Sequence, residues 1–248
     1  MAKNITIQGK VAFVTGANRG IGKAITTELL EKGAVKVYAA ARDIKSLSEL
    51  TEQYGEKVIA VQLDVTDDAS IAKAAETATD VQILINNAGI IPMGSFLGGN
   101  LIESLKANLD VNVWGLVKVT DAFIKPMAEL ELAAIVNLSS LAGLGNMPMM
   151  LTYSASKAAV HSITQGLRAE LKDTGVLVSG VYPGPIDTDM TKGFEMPKDS
   201  PENVAKNVVQ GIEDGTEYIF PDAMSQQMGP LYMTSPKEVE RQFANFTG

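Results

Sequence analysis

Apolar positions along this chain follow two patterns that alternate with each other. Short continuous apolar runs, several rich in β-branched residues, occupy residues 11–15, 35–41, 58–63, 81–85, 134–138, 176–182 and 217–220. Runs of this length without polar alternation are the signature of strands buried on both faces, as in a parallel sheet. Between them lie longer stretches with apolar residues at helical spacing: 23–31, 45–54, 67–79, 101–130, 152–172 and 201–213. Pro126 is expected to end or kink the fourth of these near Lys125, because proline lacks the N–H that a helix interior needs. Residues 221–248 read as partly helical and receive no assigned place. Strand and helix alternate with no Pro/Gly/Ser linker, so the pattern predicts one α/β domain over residues 1–248.

The first strand runs directly into Gly16-Ala17-Asn18-Arg19-Gly20-Ile21-Gly22 and then into a helix. Strand, glycine turn and helix N-terminus together form a phosphate site. The glycines let the backbone turn sharply and approach a pyrophosphate, while free N–H groups and the helix dipole face the anion. At the end of the second strand, where an acid would accept ribose hydroxyls, the chain has Ala41 followed by Arg42. Arg19 lies in the glycine turn, and two guanidinium groups suit a 2′-phosphate, which points to NADP. Asp43 is the alternative, an acid at a shifted register. Asp64 closes the third strand at the ligand edge of the sheet, where it can accept from an adenine amino group. Its other reading is a helix cap, for which Thr66 and Asp67 compete. The fourth strand leads into Asn86-Asn87-Ala88-Gly89: two amides able to tie neighbouring strands, and a glycine that lets a ligand reach the backbone.

Further along, Tyr153 and Lys157 lie one helical turn apart on one face. An ammonium beside a phenol favours the phenolate, and a tyrosine that exchanges protons near neutral pH needs a shift of about 3 units, or roughly 4 kcal/mol. Ser139-Ser140 end the fifth strand, and Asn112 is an amide inside a helix, where propensity does not favour it. The segment between Ser140 and Tyr153 carries Leu141, Leu144, Met147, Met149, Met150 and Leu151 and no charged residue. Ile91 and Met93 are expected to extend the same wall.

Composition narrows the chemistry. A net charge of −8 and a pI near 4.8 argue against a nucleic-acid or anionic-membrane surface. No apolar run approaches the ~18 residues of a membrane span, and residues 1–10 lack the apolar core of a secretory signal. With no cysteine and one histidine, thiolate chemistry and multi-histidine metal sites are excluded, and no metal is expected. His161 reads as a packing or surface residue of its helix. Absent cysteine is compatible with a reducing compartment, and a cytoplasmic location is expected.

Taken in order, Thr15-Gly16-x-x-x-Gly20-x-Gly22, Asp64-Val65, Asn86-Asn87-Ala88-Gly89, Asn112, Ser140, Tyr153-x-x-x-Lys157 and Pro183-Gly184 with Thr188 resemble the short-chain dehydrogenase/reductase superfamily, over roughly residues 8–190. The resemblance implies a Rossmann-like, doubly wound, mostly parallel seven-stranded sheet with helices on both faces. It implies catalytic roles for Tyr153 as acid or base, Lys157 as its partner and ribose ligand, Ser140 as donor to the substrate oxygen, and Asn112 as holder of a water. NADP(H) contacts are implied for Gly16, Asn18, Arg19, Gly20, Ile21, Gly22, Arg42, Asp64, Val65, Asn86, Ala88, Gly89, Tyr153, Lys157, Pro183, Gly184, Ile186 and Thr188. The expected activity is NADPH-dependent reduction of a small apolar or aryl ketone, by a homodimer or homotetramer. A 3-oxoacyl-[acyl-carrier-protein] reductase and a non-catalytic NAD(P)-binding regulator are the alternatives. Two departures stand out: Leu132-Ala133-Ala134 replaces a usual glycine pair, and the tail after Phe220 follows no family-wide motif. Residues 185–248 are expected to cover the substrate.

Overall fold

The computed structural model describes residues 3–246; residues 1, 2, 247 and 248 of the expected domain lie outside the described residues. The strands are β1 (Val11–Thr15), β2 (Lys36–Ala41), β3 (Val58–Gln62), β4 (Ile83–Asn86), β5 (Ala133–Leu138), β6 (Val176–Val181) and β7 (Tyr218–Ile219). They form one sheet in the order β3-β2-β1-β4-β5-β6-β7, with every neighbouring pair parallel. The strand order reverses between β1 and β4, and the crevice outside their carboxyl ends is where a ligand binds in such sheets.

The helices are α1 (Gly20–Glu31), α2 (Ser48–Tyr54), α3 (Asp68–Thr77), α4 (Leu101–Asn108), α5 (Leu116–Ala128), α6 (Leu151–Glu170), α7 (Pro201–Glu213), α8 (Ala223–Thr234) and α9 (Pro236–Ala244). Period-two alternation divides the strand side chains between two cores. Ala12, Val14, Ile83, Ile85 and Val136 pack with residues of α1, α2 and α7. Phe13, Leu84 and Ile135 pack with residues of α3, α5 and α6 on the other face. No helix among the described residues is long and apolar enough to cross a membrane.

Three expectations need correction. The stretch 101–130 is not one helix: a π-helical segment, Leu109–Gly115, separates α4 from α5. Such turns widen the helix locally and are frequent at functional sites. Asn112 lies in this segment, and Gly115 closes on Val65 so tightly that an added Cβ would lie 2.7 Å from Val65 Cγ2. Pro126 does not end α5 but sits in its last turn. The stretch 45–54 begins as a 3-10 turn, Ile44–Leu47, capped by the Asp43 carboxylate, before α2 starts.

The helices of the second face are stitched to the sheet by a buried amide chain. Asn86 Nδ2 donates to Thr120 Oγ1 and to Asn137 Oδ1, both at 2.9 Å, and Asn137 Nδ2 donates to Thr164 Oγ1 at 3.0 Å. This joins β4 and β5 to α5 and α6. Asn137 is fully buried, so Asn137→Ala should cost about 2–4 kcal/mol, from unmade hydrogen bonds and a small cavity. Urea denaturation reads this directly, and a loss under about 1 kcal/mol would show the chain to be dispensable.

Candidate active site

The first turn of α1 has no side-chain cap, since Arg19 at the N-cap position turns outward. Its N–H groups are therefore open to an anion. Gly22 is held against the loop after β4: an added Cβ would lie 2.2 Å from Gly16 O and 2.4 Å from Asn87 Nδ2. The Thr15 hydroxyl accepts from the N–H groups of Asn87 and Ala88, both at 2.9 Å, and Asn87 Nδ2 donates to the carbonyls of Thr15 and Gly16. The glycine turn and the Asn-Asn-Ala-Gly turn thus form one rigid unit at the switch point.

A continuous cleft of about 670 Å³ runs from this unit across the carboxyl edge of the sheet. Gly16, Asn18, Arg19, Gly20, Ile21, Gly22, Arg42, Asp64, Val65, Ala88, Gly89, Ser140, Tyr153, Lys157, Pro183, Gly184, Ile186 and Thr188 all line it. Asn86 and Asn112 do not. Asn86 shares the sheet face of Leu84 and is spent on the buried amide chain, while its neighbour Asn87 borders the cleft instead. Strand alternation through Leu84 and Asn86 was the signal that separates the two.

At the adenosine end, Arg42 is exposed and forms no ion pair among the described residues, whereas Arg19 Nη1 lies 3.3 Å from Asp189. Asp43 also lines the cleft, and its Oδ1 accepts from the Lys45 N–H at 3.0 Å. Asp64 accepts from the Thr66 N–H at 2.9 Å and the Thr66 hydroxyl at 2.7 Å. These bonds, and then the nearby Arg42 charge, hold its carboxyl below the usual range. The cap of α3 belongs to Asp67. The donor set therefore fits a dinucleotide phosphate: open helix N–H groups, a glycine turn and two guanidiniums.

At the other end, Lys157 is 4% exposed, and its ammonium donates to the Leu138 carbonyl at 2.6 Å. Burial pulls its pKa down to about 8. Tyr153 is half-buried along the cleft, yet its phenol is desolvated, and burial pushes it up to about 12 against the lowering effect of the Ser140 hydroxyl. This reverses the expectation that Lys157 holds Tyr153 below its ordinary value. Lys157 Nζ lies 5.7 Å from the Tyr153 ring centroid and is directed to a carbonyl, so desolvation outweighs attraction. Ser139 and Ser140 are separated by their partners: Ser139 Oγ donates to the Lys157 carbonyl at 2.9 Å, while Ser140 is the hydroxyl beside Tyr153. Asn112 Oδ1 accepts from Ile90 N–H at 2.9 Å, and Nδ2 donates to Ile90 O, Asn108 Oδ1 and Ser156 Oγ. It fixes the strap after Gly89 to α6. His161 is buried, its Nδ1 2.8 Å from the Tyr182 hydroxyl, and it does not border the cleft.

Of the expected apolar wall, Ile91, Leu141, Met147 and Met150 line the cleft. Leu144, Met149 and Leu151 do not line it; the first two pack in the cluster that holds Val239 and Phe243 of α9, and Met93 is exposed. Sequence reasoning missed Met190, Phe194, Met196 and Phe246, which border the cleft from the loop after β6 and from the end of the chain. The tail reaches the site because α9 docks on Gly145, where an added Cβ would lie 2.9 Å from the Phe243 ring.

Comparison with known proteins adds an independent line. The sequence profile described as short chain dehydrogenase matches residues 10–199. An uncharacterized oxidoreductase of Staphylococcus saprophyticus is 33% identical over 220 residues, spanning 84% of this chain and 93% of the relative. A short chain dehydrogenase from Burkholderia cenocepacia, solved in complex with NADP, superposes with a TM-score of 0.89 at 35% identity, covering 96% of this chain and 99% of that one. A short chain dehydrogenase/reductase from Burkholderia phymatum, solved in complex with NAD, gives 0.84 at 26% identity and 98% coverage of both chains.

The buried lysine has a measurable consequence. Its folded pKa of about 8 lies below its ordinary 10.5, so the folded protein binds fewer protons than the unfolded chain between those values. Stability therefore rises with pH across that window. The stability of the wild type relative to Lys157→Met should increase by about 2–3 kcal/mol from pH 7 to pH 10. Paired urea titrations read the difference, and a flat or falling difference would mean that Lys157 is not desolvated.

Proposed function

The chain belongs to the short-chain dehydrogenase/reductase superfamily, an oxidoreductase family acting on CH–OH groups, and from that membership we propose that it reduces small apolar ketones with NADPH. The observation that carries this reading is the single cleft in which Tyr153, Ser140 and Lys157 share walls with the glycine turn and the Pro183-Gly184 turn. NADPH is favoured over NADH because Arg19 and Arg42 both line the cleft and the end of β2, where an acid would accept ribose hydroxyls, holds Ala41. The relative of greater identity among the two superposed structures is the NADP complex. Bound NADPH would supply the hydride.

The protein's own residues would supply the proton and the electrostatics. Tyr153, neutral because burial holds its pKa near 12, is in the acid form that carbonyl reduction requires. It would donate its proton to the substrate oxygen. Ser140 would donate a hydrogen bond to that oxygen, where negative charge develops. Lys157, charged at neutral pH, would hold the ribose and stabilise the phenolate left after transfer. Asn112 would keep the Ile90 strap and α6 in register.

The substrate end is apolar: Ile91, Leu141, Met147, Met150, Phe194 and Phe246 offer no charge partner. A charged sugar acid would lose hydration there without compensation, whereas methionine walls repack around aryl or alkyl groups. The 185–246 part of the chain acts as the substrate cover within one catalytic domain. For assembly, the partly exposed apolar faces of the π-helical segment, α5 and α6, with Leu109, Val117, Ile163 and the exposed Trp114, support an isologous helix-pair interface and a dimer or tetramer. A cytoplasmic location accords with the NADPH requirement.

Tyr153→Phe should leave fold and coenzyme binding intact and lower turnover by about 10²–10⁴-fold. Near-normal ketone reduction by the folded variant would remove Tyr153 from the mechanism. Combining Arg42→Ala with Ala41→Asp should weaken NADPH binding by about 2–3 kcal/mol and shift preference toward NADH. Coenzyme titrations of both proteins check this, and a wild type that already prefers NADH would overturn the assignment.

A further inference from the structure

Asp222 is a carboxylate with 2% exposure, just outside the matched family region, and no described cation pairs with it. Burying an unpaired charge is costly unless hydrogen bonds replace its water. Here two N–H groups do so, one on each oxygen. Oδ1 accepts from Ser225 N–H at 3.0 Å, which caps α8, and the Ser225 hydroxyl completes a reciprocal capping box with the Asp222 backbone. Oδ2 accepts at 2.8 Å from the N–H of Gly184, which belongs to the cleft wall.

The contact is close on both sides. A Cβ at position 184 would lie 2.9 Å from Asp222 Oδ1 and 3.3 Å from Met224 Cβ, so the first turn of α8 rests directly on this backbone. From the opposite side, the Pro183 carbonyl accepts from Leu141 N–H at 3.0 Å and from the Ser140 hydroxyl at 3.3 Å. The Pro183-Gly184 turn is therefore held between the serine that faces Tyr153 and a carboxylate from the C-terminal region.

We propose that Asp222 is a positioning residue for reduction: its carboxylate fixes the Gly184 backbone, and through it the floor of the cleft on which the nicotinamide end of NADPH must rest. The inference rests on the reductase reading above. It gives the C-terminal region a role in coenzyme alignment as well as in covering substrate. A charged acceptor is required because one group must satisfy two N–H donors with two separate oxygens. An asparagine has one acceptor oxygen, so either orientation of its amide sets an NH₂ against one of the two donors.

The test compares Asp222→Asn, Asp222→Ala and Ser225→Ala with the wild type. Ser225→Ala breaks the capping box without touching the Gly184 bond, so it reports the purely structural effect of loosening α8. Thermal midpoints measure folding, fluorescence titration measures NADPH binding independently of activity, and kcat and KM are measured on a neutral aryl ketone. Ser225→Ala should lower the midpoint and leave the NADPH Kd and kcat within about twofold of wild type. Asp222→Asn, and more so Asp222→Ala, should weaken NADPH binding by about tenfold and lower kcat, at a midpoint no lower than that of Ser225→Ala for at least the Asn variant. Wild-type Kd and kcat in both Asp222 variants would overturn this inference alone. A wild-type protein that binds neither nicotinamide coenzyme would overturn the reductase reading and this inference with it.

Discussion

The phenol of Tyr153, half-buried on the cleft wall, and the buried ammonium of Lys157 lie one turn apart on α6, at the carboxyl edge of a parallel sheet. Desolvation costs both groups: it raises the tyrosine toward about 12 and lowers the lysine toward about 8. The ammonium has a fixed partner in the Leu138 carbonyl, and the Ser140 hydroxyl partly offsets the shift of the phenol. At neutral pH the result is a neutral acid beside a cation, a state suited to protonating an oxygen as negative charge forms on it.

The surrounding structure keeps that edge rigid. The Thr15 hydroxyl and Asn87 amide fuse the glycine turn to the end of β4. Asn112, freed from regular helix geometry by the π-helical segment, bonds to both backbone groups of Ile90 and to Ser156 on α6. The Pro183-Gly184 turn is held by Ser140 and Leu141 on one side and by Asp222 on the other. Each clamp uses buried or part-buried hydrogen bonds, which fix direction in a way that apolar packing alone does not.

Much of this was legible in the sequence, for identifiable reasons. β1 through β6 follow from continuous apolar runs, and the phosphate turn from glycines placed between a strand and a helix. Residues whose meaning depends on distant partners were harder. The π-helical turn at Leu109–Gly115 has no periodicity signature; it coincides with the bond from the Ile90 N–H to Asn112 and the fit of Gly115 on Val65, both partners distant in sequence. The sign of the Tyr153 shift depends on where Lys157 points, which an i, i+4 spacing does not state. The tail could not be assigned because α9 is defined by its landing on Gly145, and Asp222 by its reach to Gly184. The side-chain direction of Asn86 is readable too: strand alternation from Leu84 directs it into the core beneath the site.

The central claim is that burial, more than the neighbouring ammonium, sets the charge state of Tyr153 in the free protein. Tyrosinate absorbance, followed by pH titration of the wild type minus Tyr153→Phe, tests it most directly. The account predicts that the difference carries no tyrosinate band until above about pH 11, beyond the ordinary value of ~10. A band that titrates near pH 7–8 would contradict it and would mean that Lys157 dominates after all.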